Sequence, residues 1–267
     1  MTHSSPRLIA TDLDGTIVRS DGTISDRTVA ALARVERAGA KLVMVTGRPP
    51  RWMKYIADAV GHHGVAICAN GAVLYDLHTE TVLRTHEIPA PVVAETIERL
   101  RSIAPELRFA VEHTDGFVFE DSYLLGRWDA KAFGGRPVSA EELAGRSGTK
   151  LLALHPDADP DSLAEKAAEA VGDLVTVTHS SGRGLLEMSA HGVTKASALA
   201  ALCQEHGLTS DAVTAFGDMP NDLPMLTWAG TSYAVANAHP LVLAAVTHKT
   251  SRNDDDGVAE VLERLFP

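Results

Sequence analysis

The sequence predicts an α/β protein whose mostly parallel sheet, built from both ends of the chain, carries an inserted α+β unit. Three observations predict it. Apolar strand-like runs alternate with helix-like segments over the first ~80 residues and again over the last ~80, the rhythm of parallel βαβ units with helices on both faces. The middle of the chain breaks that rhythm with a hairpin and further strands. At 267 residues the chain is long enough for one large core or two domains.

In chain order, Leu8-Ile9-Ala10 is a short apolar run ending at Asp12 and reads as a strand. Ser25 suits the N-cap of a helix with Val29, Leu32 and Ala33 on its inward face and Gly39 as its stop. Leu42-Val43-Met44-Val45 is a second buried strand, and Pro49 and Pro50 fit the first turn of a helix running towards Val60. Val65-Ala66-Ile67 is a third strand, and Asn70-Gly71 signals a turn before a strand over Ala72 to Tyr75. Glu87-Ile88-Pro89-Ala90-Pro91 reads as a hinge. After it come a helix (Val92 to Ile103), a hairpin (Phe109 to His113 and Phe117 to Glu120) and a Gly/Pro-rich loop (Gly126 to Pro137). A strand (Lys150 to His155), a helix (Asp161 to Val171) and two strands (Leu174 to Thr178, Leu185 to Met188) complete the α+β block. The βα rhythm then resumes with a helix over Thr194 to His206, a strand over Val213 to Phe216 and a helix from about Asp222. A strand over Tyr233 to Ala236, a short helix near Pro240 and a last helix over Val258 to Leu265 follow. The division expected is a discontinuous core of residues 1–86 and 186–267, with residues 87–185 as a lid-like second domain.

Apolar residues make up 45% and charged residues 22%, ordinary for a soluble globular protein, and the formal net charge of −11 argues against a nucleic-acid partner. Cys68 and Cys203 sit in apolar contexts without metal-ligand or redox spacing, so reduced, buried thiols are expected. The polar start, Met1 to Arg7, predicts no signal peptide, and no apolar run approaches the ~18 residues of a membrane span. A cytoplasmic protein with no membrane partner is the expectation.

Asp12-Leu13-Asp14-Gly15-Thr16 follows the first strand directly. In an extended segment residues two apart face the same side. Asp12 and Asp14 would then project together from the carboxyl end of the strand, where open α/β sheets place their ligands. Two crowded carboxylates repel each other unless a cation lies between them, and oxygen ligands suit Mg²⁺. One carboxylate can attack phosphorus while the other moves protons. Taken alone, these five residues also suit a loop that merely ends a strand. Thr46-Gly47-Arg48 opens a helix after the second strand, where a hydroxyl and backbone N–H groups make an anion site or a plain connection. Lys195 starts a helix, the wrong end for a cation unless an anion or carboxylates lie nearby. Gly217-Asp218-Met219-Pro220-Asn221-Asp222 places two acids and an amide in one turn after a strand, suited to a metal site or to capping the next helix, or to both.

In this order, each at a strand or helix end, these stretches resemble the haloacid dehalogenase superfamily of phosphohydrolases. Asp12 to Thr16 resembles its first motif, Thr46 its second, Lys195 its third and Gly217 to Asp222 its fourth. Asn70-Gly71-Ala72, the stretch around Glu187-Met188-Ser189, and Asp255-Asp256-Gly257-Val258-Ala259 look like the Cof-type subgroup. Few residues separate Asp14 from Ser25, whereas the long stretch from Arg48 to Lys195 leaves room for an insert. The resemblance therefore implies a Rossmann-like core with a C2B cap. It implies Asp12 as nucleophile, Asp14 as general acid/base, and Mg²⁺ held by Asp12, Asp218 and the backbone carbonyl of Asp14. It implies Thr46, Gly47, Lys195 and Asn221 as phosphate contacts, with Asp222 and Arg48 in support.

The activity implied is a phosphatase of small phosphorylated metabolites, sugar phosphates first, acting through an aspartyl-phosphate as a monomer or homodimer. Two alternatives stand beside it. A phosphomutase would favour several cap cations, for which Arg127, Arg136, Arg146 and Arg183 are available; a catalytically inactive binding module would not need the four motifs intact. Cap residues able to reach a substrate are Glu112, His113, Tyr123, Arg127, Ser180, Ser181 and Arg183, though each also suits a solvated loop. His191 could edge the site, His62-His63 suits a surface loop, and Trp52 and Tyr55 suit core or interface packing more than stacking on a substrate.

Overall fold

Two sheets with separate apolar clusters organise the chain. A computed structural model describes residues 6–120, 123, 134–181 and 184–267. From the N-terminus come β1 (Leu8–Thr11), α1 (Asp26–Arg37), β2 (Lys41–Val45), α2 (Lys54–Ala59), β3 (Val65–Cys68), β4 (Val73–Asp76) and β5 (Thr81–Thr85). The middle holds α3 (Ala90–Ile103), β6 (Arg108–Glu112), β7 (Phe117–Glu120), β8 (Gly135–Val138), α4 (Ala140–Ala144), β9 (Lys150–Leu154), α5 (Pro160–Val171), β10 (Val175–Thr178) and β11 (Leu185–Ala190). The chain closes with α6 (Lys195–Glu205), β12 (Val213–Gly217), α7 (Leu223–Trp228), β13 (Thr231–Val235), α8 (Pro240–Ala245), β14 (His248–Thr250) and α9 (Gly257–Leu265).

The larger sheet has the order β14-β13-β12-β1-β2-β3-β4-β5, parallel from β14 through β3 and antiparallel over β4 and β5. All four residues of β1 are buried, as a central parallel strand covered on both faces requires. Its neighbours are β2 on one side and β12 on the other, so the strand order reverses at β1 and opens a crevice at its carboxyl end. The second sheet, β10-β11-β9-β6-β7-β8, is antiparallel except for the β7–β8 pair. Its core packs Phe109, Leu151, Ala153, Leu186 and Met188 beneath Val93, Ile97 and Leu100 of α3 and Leu163 and Ala167 of α5. This is the α/β core with an inserted α+β unit that the strand rhythm predicts. Among the described residues no helix is long and apolar enough to cross a membrane.

Several local expectations change. β11 continues to Ala190 and pairs with β9 and β10, so the second sheet extends past the boundary expected at residue 185. β5 and β14 carry no apolar alternation, since β5 is exposed throughout and β14 nearly so, and periodicity does not reveal them. β8 lies at the end of the stretch read as a loop. The single helix expected after Pro49 is a 3₁₀ turn over Pro50–Trp52 followed by α2. In α1 the Ser25 hydroxyl accepts the Thr28 amide at 3.0 Å, as a cap should. The buried face, however, is Thr28, Ala31, Leu32 and Val35, while Ala33 is exposed. The spacing of 3, 4 and 7 from Thr28 sets that stripe, and Val29 and Ala33 fall beside it.

The shift of face is testable. Leu32→Ala should cost about 2–5 kcal/mol in urea unfolding, whereas Ala33→Ser should stay within about 0.5 kcal/mol. Equal costs at the two positions would reverse the assignment.

Candidate active site

The site begins where β1 ends. The amide of Asp12 donates to the Phe216 carbonyl at 3.0 Å, continuing the β1–β12 ladder for one more residue. The chain then turns, with the amides of Thr16, Ile17 and Val18 all donating to the Leu13 carbonyl. That turn separates the two aspartates of the first motif. Asp12 is buried and its Oδ1 accepts from Lys195 Nζ at 2.6 Å. Asp14 has a largely exposed side chain, which Arg48 grips with two bonds, Nε to Oδ2 at 2.8 Å and Nη2 to Oδ1 at 2.6 Å. Both residues line the same cavity, and the charge of Asp14 is close enough to act on Asp12.

Among the described residues, Asp12, Asp218 and Asp222 offer carboxylate oxygens within 4.8 Å of one another. Asp218 and Asp222 lie on the turn after β12, the neighbour of β1. Asp222 is fully enclosed: its Oδ1 accepts from Lys195 Nζ at 2.6 Å and its Oδ2 accepts the amides of Asp218 and Met219, each at 3.0 Å. Asp218 Oδ1 accepts from the Thr16 hydroxyl at 3.1 Å. Gly15 has φ +78°, which favours glycine, and a Cβ there would stand 2.3 Å from Asp218 Oδ2 and push that carboxylate aside. Hydrogen bonds thus engage one oxygen of Asp12, one of Asp218 and both of Asp222. A set of carboxylate oxygens outnumbering its single ammonium fits a hard divalent cation.

Lys195 is the first residue of α6, which Thr194 caps by accepting the Ser197 amide at 3.0 Å. Its side chain is 1% exposed. Two carboxylates offset the unfavourable helix end, the condition under which a cation is tolerated there.

The second wall forms around the loop after β2. Thr46 is buried and its hydroxyl accepts the Arg48 amide at 3.0 Å. The Gly47 carbonyl accepts from Lys150 Nζ of β9 at 2.8 Å. Lys150 also pairs with Glu187 of β11 at 2.6 Å, and Glu187 accepts from Asn70 Nδ2 at 2.9 Å and from the Ser180 hydroxyl. Asn70 reaches this position because Ala69, Asn70 and Gly71 all take positive φ after β3. A Cβ on Gly71 would lie 2.3 Å from the Thr194 carbonyl, so this turn seats against the start of α6. Asn221 Nδ2 donates to Asn70 Oδ1 at 3.1 Å, and its own Oδ1 is buried with no hydrogen-bond partner among the described residues.

These groups surround a cavity of about 320 Å³ between the two sheets. Asp12, Asp14, Gly47, Arg48, Asp218 and Asn221 line it directly, while Thr46, Lys195 and Asp222 form the layer behind. Of the other residues considered from sequence, Glu112, Tyr123, Ser180, Ser181 and Trp52 also line it. His191, with Nδ1 3.2 Å from the Gly172 carbonyl, does not line it, and neither do His62, His63, His113 or Tyr55. Arg127 and Arg183 lie outside the described residues. Lys150 and Arg51 are functional candidates that sequence reasoning missed, since neither sits in a recognisable motif. Asn70 and Glu187 were visible only as subgroup resemblance.

The sequence pattern of the haloacid dehalogenase-like hydrolases matches residues 9–262. The chain is 26% identical over 267 residues to the 5-amino-6-(5-phospho-D-ribitylamino)uracil phosphatase YitU of Bacillus subtilis (strain 168), covering 99% of each chain. It is 29% identical to the pyridoxal phosphate phosphatase YbhA of Escherichia coli (strain K12) over 265 residues, covering 96% of this chain and 97% of that one. A solved structure from Streptococcus mutans UA159 superposes with a TM-score of 0.86 at 24% identity, over 97% of this chain and 98% of the other, a likeness of fold.

The charges of the cluster are strongly interdependent. Burial pushes Asp12 up to about 7, with Asp222 and Asp14 adding to the rise and Lys195 opposing it. Burial, then Asp12 and Asp222, push Asp218 up to about 9. Burial works to lower Lys195, but Asp12 and Asp222 outweigh it and hold the ammonium charged. In the unfolded chain an aspartate has lost its proton by about pH 4, while in the cation-free fold these two keep theirs to higher pH. The folded state therefore binds more protons, and these groups cost stability as pH rises from about 4 through 7 and 9, by up to about 1.4 kcal/mol per group and pH unit. In EDTA, the Tm of the native protein should fall more steeply between pH 6 and 9 than that of Asp218→Asn, which cannot ionise. Stabilisation by added Mg²⁺ should be larger at pH 9 than at pH 6, because fewer protons must be displaced. Parallel Tm profiles for the two proteins in EDTA would contradict the assigned electrostatics.

Proposed function

The chain belongs to the haloacid dehalogenase-like hydrolases and is a phosphoric monoester hydrolase; from that premise we propose a Mg²⁺-dependent phosphatase of small phosphorylated metabolites that works through an aspartyl-phosphate on Asp12. The observation that carries this reading is the Lys195 ammonium, bound to Asp12 at the floor of a cavity with Asp218 in reach of a shared cation. The named substrates of the two phosphatase relatives are likewise small phosphorylated molecules.

Asp12 and Asp218 would hold Mg²⁺ through their remaining oxygens, together with the backbone carbonyl of Asp14. When bound, the cation supplies charge neutralisation that lets an anionic nucleophile meet a phosphate. Asp12 attacks phosphorus, and the bond to the leaving oxygen breaks as Asp14 gives that oxygen a proton. Asp14 then takes a proton from the water that attacks the phosphoryl group, which frees the Asp12 carboxylate and inorganic phosphate. Arg48 holds Asp14 in the structure, so the acid step requires this carboxyl to turn from Arg48 towards the leaving oxygen. Lys195 offsets the charge of Asp12 and the phosphate, and Asp222 keeps Lys195 in place. Gly47 and Asn221 would contact the phosphate, and Thr46, in the layer behind, would shape that loop through its bond to the Arg48 amide.

In this reading residues 1–86 and 186–267 act as the catalytic part and 87–185 as the cap, with the strand through Ala190 anchoring the cap's sheet. A cytoplasmic setting suits the two free, buried thiols of Cys68 and Cys203. The phosphomutase reading gains no support from Arg136 and Arg146, which both pair with Glu142 and do not line the cavity.

Asp12→Asn should keep its fold by circular dichroism and lose at least 10³-fold in Mg²⁺-dependent phosphate release. The native enzyme, acid-quenched during turnover of a labelled substrate, should retain label on the protein. A variant that still turns over in Mg²⁺ would remove Asp12 from the role of nucleophile.

A further inference from the structure

A buried carboxylate fixes the sense of an amide chain that ends at the proposed phosphate site. Glu187 stands on β11 of the second sheet, enclosed among Lys150, Ser180 and Asn70. Burial works to raise Glu187, but the Lys150 ammonium and hydrogen bonds from Lys150, Ser180 and Asn70 outweigh it, so the carboxylate is ionised and can only accept. Asn70 must therefore turn its NH₂ to Glu187, and its Nδ2 donates to Oε2 at 2.9 Å. That leaves the Asn70 carbonyl to face onward, and its Oδ1 accepts from Asn221 Nδ2 at 3.1 Å. Reversing either amide would set two acceptors face to face.

The far end of this chain meets the cavity. Asn221 lines it, while Asn70 stands behind. Asn221 Oδ1 is buried, which leaves the amide nitrogen as the polar atom its side chain can turn to a phosphate. One N–H of that NH₂ is taken by Asn70, and the second remains to donate. Asn70 also bears on Gly47, the other proposed phosphate contact. Its backbone amide donates to the Thr46 carbonyl at 3.0 Å, and in a trans peptide this turns the Gly47 N–H the opposite way. Its side chain packs against the same residue, since a Cβ on Gly47 would stand 3.2 Å from Asn70 Oδ1 and 3.4 Å from Glu187 Oε2.

We propose that Asn70, with its sense set by Glu187, positions Asn221 to donate to the substrate's phosphate. Asn70 and Glu187 are positioning residues that act through Asn221. This rests on the phosphatase reading and deepens it, because the phosphate contact is completed by a carboxylate that the second sheet supplies. The effect belongs to the phosphate and is the same whatever the leaving group.

Inorganic phosphate is the probe, as a competitive inhibitor of p-nitrophenyl phosphate hydrolysis in Mg²⁺. Asn70→Gly removes the side chain, and glycine readily keeps the φ of +57° found here. It should raise the inhibition constant about fivefold to tenfold, the effect one hydrogen bond supports. Its Mg²⁺ requirement should stay within about twofold of native, because Asp12 and Asp218 are untouched. Asn221→Ala should raise the constant by a similar factor, and combining it with Asn70→Gly should add less than about twofold. Glu187→Gln, whose amide can turn either face to Asn70, should raise it at least about threefold alone and not over Asn221→Ala. Folding is checked by circular dichroism, and if Asn70→Gly does not fold, the two Glu187→Gln measurements decide. Losses that multiply, or an unchanged constant in Asn70→Gly, overturn the proposal. An equal weakening of Mg²⁺ does so too, because it marks general damage to the site. A loss in Asn70→Gly with none in Glu187→Gln overturns the role of Glu187. Release of no phosphate from p-nitrophenyl phosphate by the native enzyme overturns the phosphatase reading itself, and the proposal with it.

Discussion

The buried ammonium of Lys195, held between Asp12 and Asp222, is the interaction on which the rest of the site depends. It sits where β1, the turn after β12 and the start of α6 converge, and it bonds to a carboxylate from each of the first two. Asp222 passes the constraint on, since its other oxygen fixes the amides of Asp218 and Met219. Asp218 in turn meets Thr16 and stands against Gly15, which closes the loop of the first motif. Burying three carboxylates around one ammonium is a poor way to stabilise a fold, because desolvation of ions in the interior costs several kcal/mol each. Such an arrangement is retained where charge must be ready for chemistry. Its raised aspartates express the same imbalance, which a divalent cation would relieve.

A second polar network joins the two sheets. Lys150 on the cap reaches the Gly47 carbonyl beside the proposed phosphate site, and Glu187 gathers Lys150, Asn70 and Ser180. Asn70 then bonds Asn221, on the same turn as Asp218. The carboxylate of Glu187 stays below its usual range because Lys150 and the hydrogen bonds to it outweigh burial. The position of the cap's sheet is thereby tied, through a few polar groups, to the backbone of the loop after β2 and to the turn after β12. Networks of this kind specify one arrangement because each member lacks an alternative partner in the dry interface.

Much of this was legible in the sequence, and the failures have common physical causes. The central strands announced themselves because strands buried on both faces need continuous apolar runs, and Leu8 to Ala10 and Leu42 to Val45 supply them. The motif residues were legible because carboxylates, a lysine and an amide at strand and helix ends have few structural uses. What sequence missed depends on turns and on contacts distant along the chain. The pairing of Asp14 with Arg48 is one such contact, made across 34 residues once the chain turns at Leu13. Exposed β5 and β14 lack the alternation that burial on one face imposes. Lys150 sits in an ordinary-looking strand, and only the pairing of β9 with β11 places it beside Glu187. Arg51 follows a proline pair and carries no motif; its partners Glu112 and Phe117 come from the other sheet.

The charge pattern explains how an acidic protein can take an anionic substrate. With a formal net charge of −11, its long-range field repels a phosphate dianion. Inside the cavity the described cations are already matched: Arg48 to Asp14, Arg51 to Glu112, Lys150 to Glu187, and Lys195 to Asp12 and Asp222. Asp218 remains without a cation of its own, so the floor carries more negative than positive charge when all groups are ionised. None of the paired cations can turn to a phosphate without leaving a carboxylate exposed to another. A divalent cation at Asp12 and Asp218 changes that balance locally, and at a few ångströms its field outweighs the screened field of a distant surface. Attraction for the phosphate is then created at the floor, while the opposite wall, whose charges are already paired, adds no net charge of its own.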